Sequence, residues 1–410
     1  MCAMSATIAQ LDRLIAEQHD DLVGIRHDLH AHPQLGYQET HASAVVKREL
    51  DALRVPYEDG IAETGVVAWL KRDGDERPAI ALRADMDALP IREETGLPWA
   101  SKHDGCMHAC GHDGHTTMLL GAARVLSKLR DALPRPVKFI FQPAEEGGAG
   151  GQRMTEAGVL DQCIGGNAVA MIFGLHGMPQ LHIGTACNRV GPMLAATDAL
   201  DITIHGEGGH AAMPHKTADP IVAASAVVTA LQSITSRDVD PAEPIVLTVG
   251  SIHGGNARNV IPDEVNITGT IRTLSTPTAE LVHRRVHEVA EQTAAAHRCR
   301  ASVTVTRGYP VMSNHPAAVA YANEVARAVL GEDLVMDLPF AIMGGEDFAF
   351  YGQKVPSCFT FIGVCPPDQD MYPGLHTPKF DFTDEAIPVG VRLHCAWALN
   401  AERMDGEPVT

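Results

Sequence analysis

The chain has 410 residues, 45 % of them hydrophobic and 20 % charged, with 32 Lys and Arg against 51 Asp and Glu and a formal net charge of −19. This length allows two or three domains with a large buried core, and the composition is that of a folded globular chain, which excludes wholesale disorder. The acidic balance repels phosphate backbones and anionic lipid surfaces, arguing against nucleic-acid and membrane partners, and no apolar run reaches the roughly 18 residues of a membrane span.

From the N-terminus, residues 8–30 repeat apolar positions at helical spacing without an apolar core of signal-peptide length. A second helix, His41–Leu53, follows the HAHPQLGYQET turn. GVVAWLKR (65–72) and PAIALRADMDALP (78–90), bounded by Gly, Asp and Pro, read as strands. A helix is predicted from about His115 to Arg130, followed by the strand VKFIFQPAEEG. Such alternation predicts an α/β core with a mostly parallel sheet flanked by helices. The apolar run AVAMIFGLHG (168–177) has strand length and is expected to deliver His176 to its end, where ligands commonly bind.

From Leu194 the texture changes. Strand ATDALDITIHGEG, helix DPIVAASAVVTALQSI, strands PIVLTVGSIHGG and EVNITGTIRT, helix TPTAELVHRRVHEVAEQTAAAHR and strand RASVTVTRGYP form a βαββαβ order, the pattern of a ferredoxin-like module. Residues 309–410 return to an α/β pattern. The expected division is a discontinuous domain of residues 1–193 and 309–410, with residues 194–308 inserted.

Nine cysteines are scattered without regular spacing and no export signal is visible, so the expectation is a cytoplasmic protein with free thiols. MHACGHDGH (107–115) sets Cys110, His112, Asp113 and His115 in a Gly-punctuated loop before a helix, a position that favours a thiolate and suits a metal-ligand set. The plainer alternative is a buried thiol beside helix-capping polar residues. In QPAEEGGAGG (142–151) the side chains of Glu145 and Glu146 diverge, so one can bind metal while the other takes a proton from water. His176 in GLHGMP and His376 in GLHTPKF each follow a Gly-Leu step at the end of a strand or loop. Asp85 and Asp87 in RADMDALP alternate along a strand and are expected to point to opposite faces, so that at most one easily faces a shared site.

Together and in this order, HAHPQLGYQET, RADMDALP, MHACGHDGH, QPAEEGGAGG, GLHG, GHAAMPH, NVIPD, GTIRT, MGGEDFAFY and LHTPKF resemble the aminoacylase/carboxypeptidase superfamily of dinuclear metallohydrolases, in its hippurate hydrolase and auxin-conjugate hydrolase branch. The resemblance spans essentially the whole chain. It implies a metallopeptidase-like catalytic domain holding two divalent metal ions per subunit, with Cys110, His112, Glu146, His176 and His376 as ligands and Glu145 as catalytic base. A thiolate with imidazoles suits Zn, with Mn, Co or Ni also feasible. Where the wider superfamily has a histidine, this chain has Asp85, and Cys110 supplies a thiolate in place of a bridging aspartate. Asp85, Asp87 and Asp113 are therefore placed behind the ligands.

The same resemblance implies that the inserted module closes over the site and pairs subunits into a homodimer or higher homo-oligomer. His210 would reach the substrate carbonyl from the partner subunit, and Asn259 and Arg272 would bind substrate. The implied reaction is hydrolysis of N-acyl-L-amino acids, hippurate-like small molecules, to a carboxylic acid and a free amino acid. A dipeptidase or aminopeptidase is the alternative; it would need a further carboxylate for a free α-amine, and no extra acidic motif is present. A non-catalytic metal-binding protein would have no use for Glu145.

Overall fold

The longest apolar runs of the chain become strands buried on both faces, which is why they lack the alternation of a half-exposed sheet. The computed structural model describes residues 2–401. It divides into two compact units: one contains the chain up to Gly191, Ser313–Pro339 and the chain from Asp347 onward, the other Pro192–Met312 and Phe340–Glu346.

The first unit is built on an eight-stranded sheet in the order Tyr57–Ile61, Gly65–Leu70, Val137–Gln142, Ala79–Asp85, Val169–His182, Ser357–Cys365, Ala186–Asn188 and Val335–Asp337. The four strands from Val137–Gln142 to Ser357–Cys365 run parallel, and an antiparallel hairpin extends the sheet on one side. Every residue of Ala79–Asp85 and of Ser357–Cys365 is buried. Helices His112–Lys128, Pro316–Leu330 and Ile387–Leu399 supply apolar faces to the core, which gathers Phe139, Phe141, Phe173 and Trp397. Each such aromatic contributes about 1.5–3 kcal/mol by leaving water. This is the α/β architecture that the alternation predicts.

Three boundaries differ from expectation. Residues 8–30 are two helices, Cys2–Ala16 and His19–Ala31, because the chain turns at Gln18, which is buried and donates from Nε2 to Gly121 O (3.5 Å). The strand through His176 does not end there. It continues to His182 because Ser357–Cys365 pairs along it, with Phe361 opposite His176 and Cys365 opposite His182. The helix expected near His115 begins at His112, so His112 and His115 lie on its first turn, while His108 and Cys110 stay in the preceding loop.

The second unit is a four-stranded antiparallel sheet in the order Ile245–His253, Glu264–Thr273, Ala196–His205, Arg300–Arg307, with helices Pro220–Ser233 and Thr276–Ala296. Numbered along the βαββαβ path this is 2-3-1-4, the ferredoxin-like arrangement. Period-two burial along Ala196–His205 sends Leu200, Ile202 and Ile204 against Val227, Leu231, Val282 and Val286. Both helices start at side-chain caps, Asp219 and Ser275, each followed by proline in the first turn. The segment Phe340–Glu346 is tied to this unit by Ile342 N donating to Met193 O (2.9 Å) and by Ala195 N donating to Gly344 O (2.8 Å). Among the described residues no helix is long and apolar enough to cross a membrane.

Candidate metal centre

The loop carrying Cys110 turns into the helix His112–Lys128 at Gly111, whose φ of 88° is easy only for glycine. The first turn that follows is packed against Phe382, and His112, Asp113 and His115 are each about 1 % exposed. Their hydrogen bonds set which ring nitrogens remain available. His115 accepts at Nε2 from Gly177 N (2.8 Å), so its proton sits on Nδ1 and is donated to Asp85 Oδ1 (2.7 Å). Both nitrogens are then used, and His115 braces the sheet instead of offering a lone pair.

His176 and His112 are arranged the other way. His176 Nδ1 donates to the carbonyl of Gly177 (2.8 Å), which leaves the Nε2 lone pair 3.4 Å from Cys110 Sγ. His112 Nδ1 donates to Asp87 Oδ1 (3.2 Å), and its buried Nε2 has no hydrogen-bond partner among the described residues. A carboxylate or carbonyl behind one ring nitrogen is the arrangement that orients histidine for a metal at the other. His376, on a turn with φ 59°, is held by its N–H donating to Ala109 O (2.8 Å); its Nε2 lies 3.3 Å from Cys110 Sγ and 3.1 Å from Glu146 Oε1.

The two glutamates leave the end of the strand Val137–Gln142 in a tight turn that several groups hold. Ala144, with φ 52°, donates its N–H to Glu39 Oε1 (2.8 Å), and Glu39 Oε2 accepts from the Thr64 hydroxyl (2.6 Å). Glu146 N donates to Asp87 Oδ2 (2.9 Å), the Tyr37 hydroxyl donates to Gly148 O (2.5 Å), and Asp347 N donates to Glu145 Oε1 (3.3 Å). Glu145 is thereby buried at the edge of the cluster, with Glu146 turned toward His376.

Among the overlapping groups that result are Cys110, His112 and His176; Cys110, Glu146 and His376; and His112, Glu145 and Glu146. In each, the ligand atoms lie within 4.8 Å of one another. Buried lone pairs that face each other are costly unless a cation lies among them. Burial, reinforced by Glu146, Glu145 and Asp85, pushes the Cys110 thiol well above its ordinary value. Burial alone would lower the His112 imidazole, but Asp85 and Asp87 outweigh it and lift the ring to about 10. Burial and the neighbouring His115 hold His176 well below the usual histidine range. Protons thus stand where positive charge is needed. The donor set, one sulfur, three imidazoles and a carboxylate, fits divalent metal.

Behind this cluster lies a buried frame. Arg83 donates to Asp85 Oδ2 (2.6 Å), Gln142 Oε1 (2.9 Å) and Asp347 Oδ1 (3.0 Å), and Gly151 N donates to Asp347 Oδ2 (2.7 Å). Burial lifts the Asp347 carboxyl to about 7 against the pull of Arg83. Asp113 faces His30 Nδ1 (2.8 Å) and Arg26 Nε (3.4 Å), fastening the start of the helix to the helix His19–Ala31. The expectation that Asp85 and Asp87 face opposite ways does not hold. Residues two apart along a strand share a face, so Asp87, just beyond the strand end at Asp85, lies on the same side, and both carboxylates approach His112, Asp87 Oδ1 at 3.2 Å from Nδ1 and Asp85 Oδ2 at 3.8 Å from Nε2.

Sequence reasoning missed Glu39, Arg83, Gln142 and Asp347 as parts of the site. The available signal was a lone charge in an apolar strand, as for Arg83, or a position inside a motif read only for its neighbours.

In the second unit, His210 pairs with Val260 and Ala211 N donates to Asn259 O (3.1 Å), so His210 and Asn259 are neighbours. His210 is exposed and accepts at Nδ1 from Ala212 N (3.0 Å), which puts its proton on an outward Nε2. The Arg272 side chain is partly buried and makes no hydrogen bond or ion pair within 4.0 Å among the described residues, while its backbone pairs with Val246 and Thr197 in the sheet; Ile271 and Thr273 are each 1 % exposed on the opposite face.

Comparison with known proteins agrees with this geometry. The chain is 41 % identical over 383 residues to IAA-amino acid hydrolase ILR1-like 4 of Arabidopsis thaliana, covering 92 % of this chain and 85 % of that one. It is 42 % identical over 366 residues to the N-acetyl-L-cysteine deacetylase of Bacillus subtilis, covering 89 % and 84 %. Among solved structures, the YXEP protein of Bacillus subtilis, described as a dinuclear metal-binding peptidase, superposes with a TM-score of 0.80 at 35 % identity over 94 % of this chain and 98 % of that one. The model of peptidase family M20/M25/M40 matches residues 81–400, a span that takes in every residue of the metal cluster. The chain belongs to that family, and it is a metal-dependent amide hydrolase.

Proposed function

We propose that the protein hydrolyses N-acyl-L-amino acids, with two divalent metal ions held by Cys110, His112, Glu146, His176 and His376 and with Glu145 as general base. The observation that carries this reading is the convergence of available imidazole Nε2 atoms and a carboxylate on Cys110 Sγ, beside a buried glutamate. Cys110 belongs to two of these ligand groups and would hold metal together with the residues of each. Such ions supply Lewis acidity, polarising the amide carbonyl and bringing the pKa of a water from about 15.7 toward 7. Zinc suits the sulfur and imidazoles best, and Mn, Co or Ni are workable occupants.

Glu145 takes the proton from the attacking water and passes it to the leaving amine, with the Asp347 amide steadying its Oε1. The outward Nε2–H of His210 supplies a donor for the oxyanion, lent across a subunit interface formed by the inserted module. Arg272, without an ion-pair partner of its own, takes the free α-carboxylate in two parallel hydrogen bonds, and Asn259 binds substrate beside His210. One relative is named for N-acetyl-L-cysteine and another for an IAA-amino acid, which supports an N-acylated amino acid as the substrate class.

The test is a screen of metal-loaded enzyme against N-acyl amino acids, their C-terminal amides and free-amine dipeptides. The free acids should be preferred over both other classes. In Arg272→Ala the preference for acid over amide should fall by about 100-fold in kcat/KM, the scale of losing charge-assisted bonds. Equal discrimination by both enzymes would remove Arg272 as the anchor, and preference for free-amine dipeptides would favour an aminopeptidase.

A further inference from the structure

A second gathering of metal-ligating side chains lies in the first unit and shares no residue with the catalytic cluster. Asp28 and His32 close the C-terminal turn of the helix His19–Ala31, and His41 stands in the first turn of Thr40–Leu53. Asp28 Oδ1 is 3.2 Å from His32 Nδ1, and Asp28 Oδ2 is 3.2 Å from His41 Nε2. The two rings stand 4.6 Å apart between centroids. His32 Nδ1 also lies 2.8 Å from the backbone carbonyl of Asp28. Two imidazoles, a carboxylate and a backbone carbonyl thus meet at the negative end of a helix, where a cation is favoured. The three side chains are 29 %, 32 % and 36 % exposed, so an ion and its remaining waters can enter.

We infer that Asp28, His32 and His41 form a further divalent-cation site, of the zinc class by its two nitrogens and carboxylate. Nitrogen and oxygen ligands about 2.0–2.2 Å from one zinc stand roughly 3.4 Å apart, close to the 3.2 Å separations here. In the metal-free protein His32 carries its proton on Nδ1, bonded to Asp28 O, while Lys102 Nζ approaches Nε2 at 3.5 Å. Binding moves that proton to Nε2, Lys102 swings to solvent, and Nδ1 faces the ion. Gln34 Oε1, accepting from the backbone N–H of His41 (2.6 Å), holds the chain that carries the second ring.

The site also has a mechanical connection. It bounds the segment 32–41, whose Tyr37 and Glu39 hold the turn carrying Glu145 and Glu146, so a bound ion would pin both ends of that brace.

Zinc alone is the probe. Wild type, His32→Gln/His41→Gln and Cys110→Ser are equilibrated with zinc, dialysed and counted by elemental analysis. The histidine double variant is expected to hold one equivalent fewer than wild type while Cys110→Ser keeps that equivalent, which separates this site from the catalytic reading. Equal zinc in wild type and the double variant overturns the proposal. If circular dichroism shows the double variant unfolded, Asp28→Asn replaces it, and there an affinity loss of at least about tenfold for the same equivalent is expected. Unchanged affinity in Asp28→Asn overturns it equally.

Discussion

Glu145→Gln is expected to keep its metal and lose turnover by about 10²–10⁴-fold, the range for removing a positioned general base. The amide is nearly isosteric, and its oxygen can still accept the Asp347 N–H that holds the carboxylate at 3.3 Å. The side chain therefore stays in place and loses only the ability to take a proton. Glu146 cannot substitute, because its carboxylate is turned to His376 Nε2 at 3.1 Å. Metal analysis paired with kcat on an N-acyl amino acid decides the matter. A metal-loaded variant with near wild-type kcat would falsify the assignment.

Cys110→Ala should remove metal and activity together, because Cys110 Sγ is the atom that both His176 and His376 approach. Alanine leaves those nitrogens facing a void, and water is a poor substitute for a thiolate ligand. Metal loading is also expected to release protons. Asp85 and Asp87 lift the His112 ring to about 10 against the effect of burial, and burial lifts the Cys110 thiol well above its ordinary value, so at neutral pH both hold protons that must leave when metal binds. Protons therefore compete with metal, so affinity falls as pH falls and rises as pH climbs toward the value of His112. Calorimetry in buffers of different ionisation enthalpy should find about two protons released per fully loaded cluster in wild type and fewer in Cys110→Ala. Unchanged metal stoichiometry and affinity in that variant would return Cys110 to a plain buried thiol.

Much of this was legible in the residues. The buried strands announced themselves as unbroken apolar runs, and the ferredoxin-like module as alternating strands with capped helices. Cys110, His112, Glu145, Glu146, His176 and His376 stand out in their local sequence patterns, as a Gly-punctuated Cys/His run, a paired carboxylate and histidines after Gly-Leu steps. What periodicity could not supply were events set by distant chain. Gln18 breaks the first helix because it meets Gly121, and the strand through His176 runs on because Ser357–Cys365 lies beside it. His115 resembles its neighbour His112 in sequence, yet Gly177 N takes its lone pair and excludes it from the ligands. Glu39 and Asp347 lie inside HAHPQLGYQET and MGGEDFAFY, but periodicity does not distinguish them from surface acids. Their role appears only when the Ala144 amide and the Glu145 carboxylate are seen against them.

The position of Ser357–Cys365 in the sheet has a consequence for how the protein is made. Val169–His182 sits between Ala79–Asp85, already synthesised, and a partner strand that leaves the ribosome only after the whole second unit. During that interval a long apolar strand presents an open edge, the feature most prone to pair with another nascent chain. His376 emerges later still, so the group formed by Cys110, Glu146 and His376 cannot close until the last stretch of polypeptide arrives. Synthesis therefore places completion of that group after sheet closure, and a chain stalled before Ser357 should be a client for chaperones holding exposed strand edges.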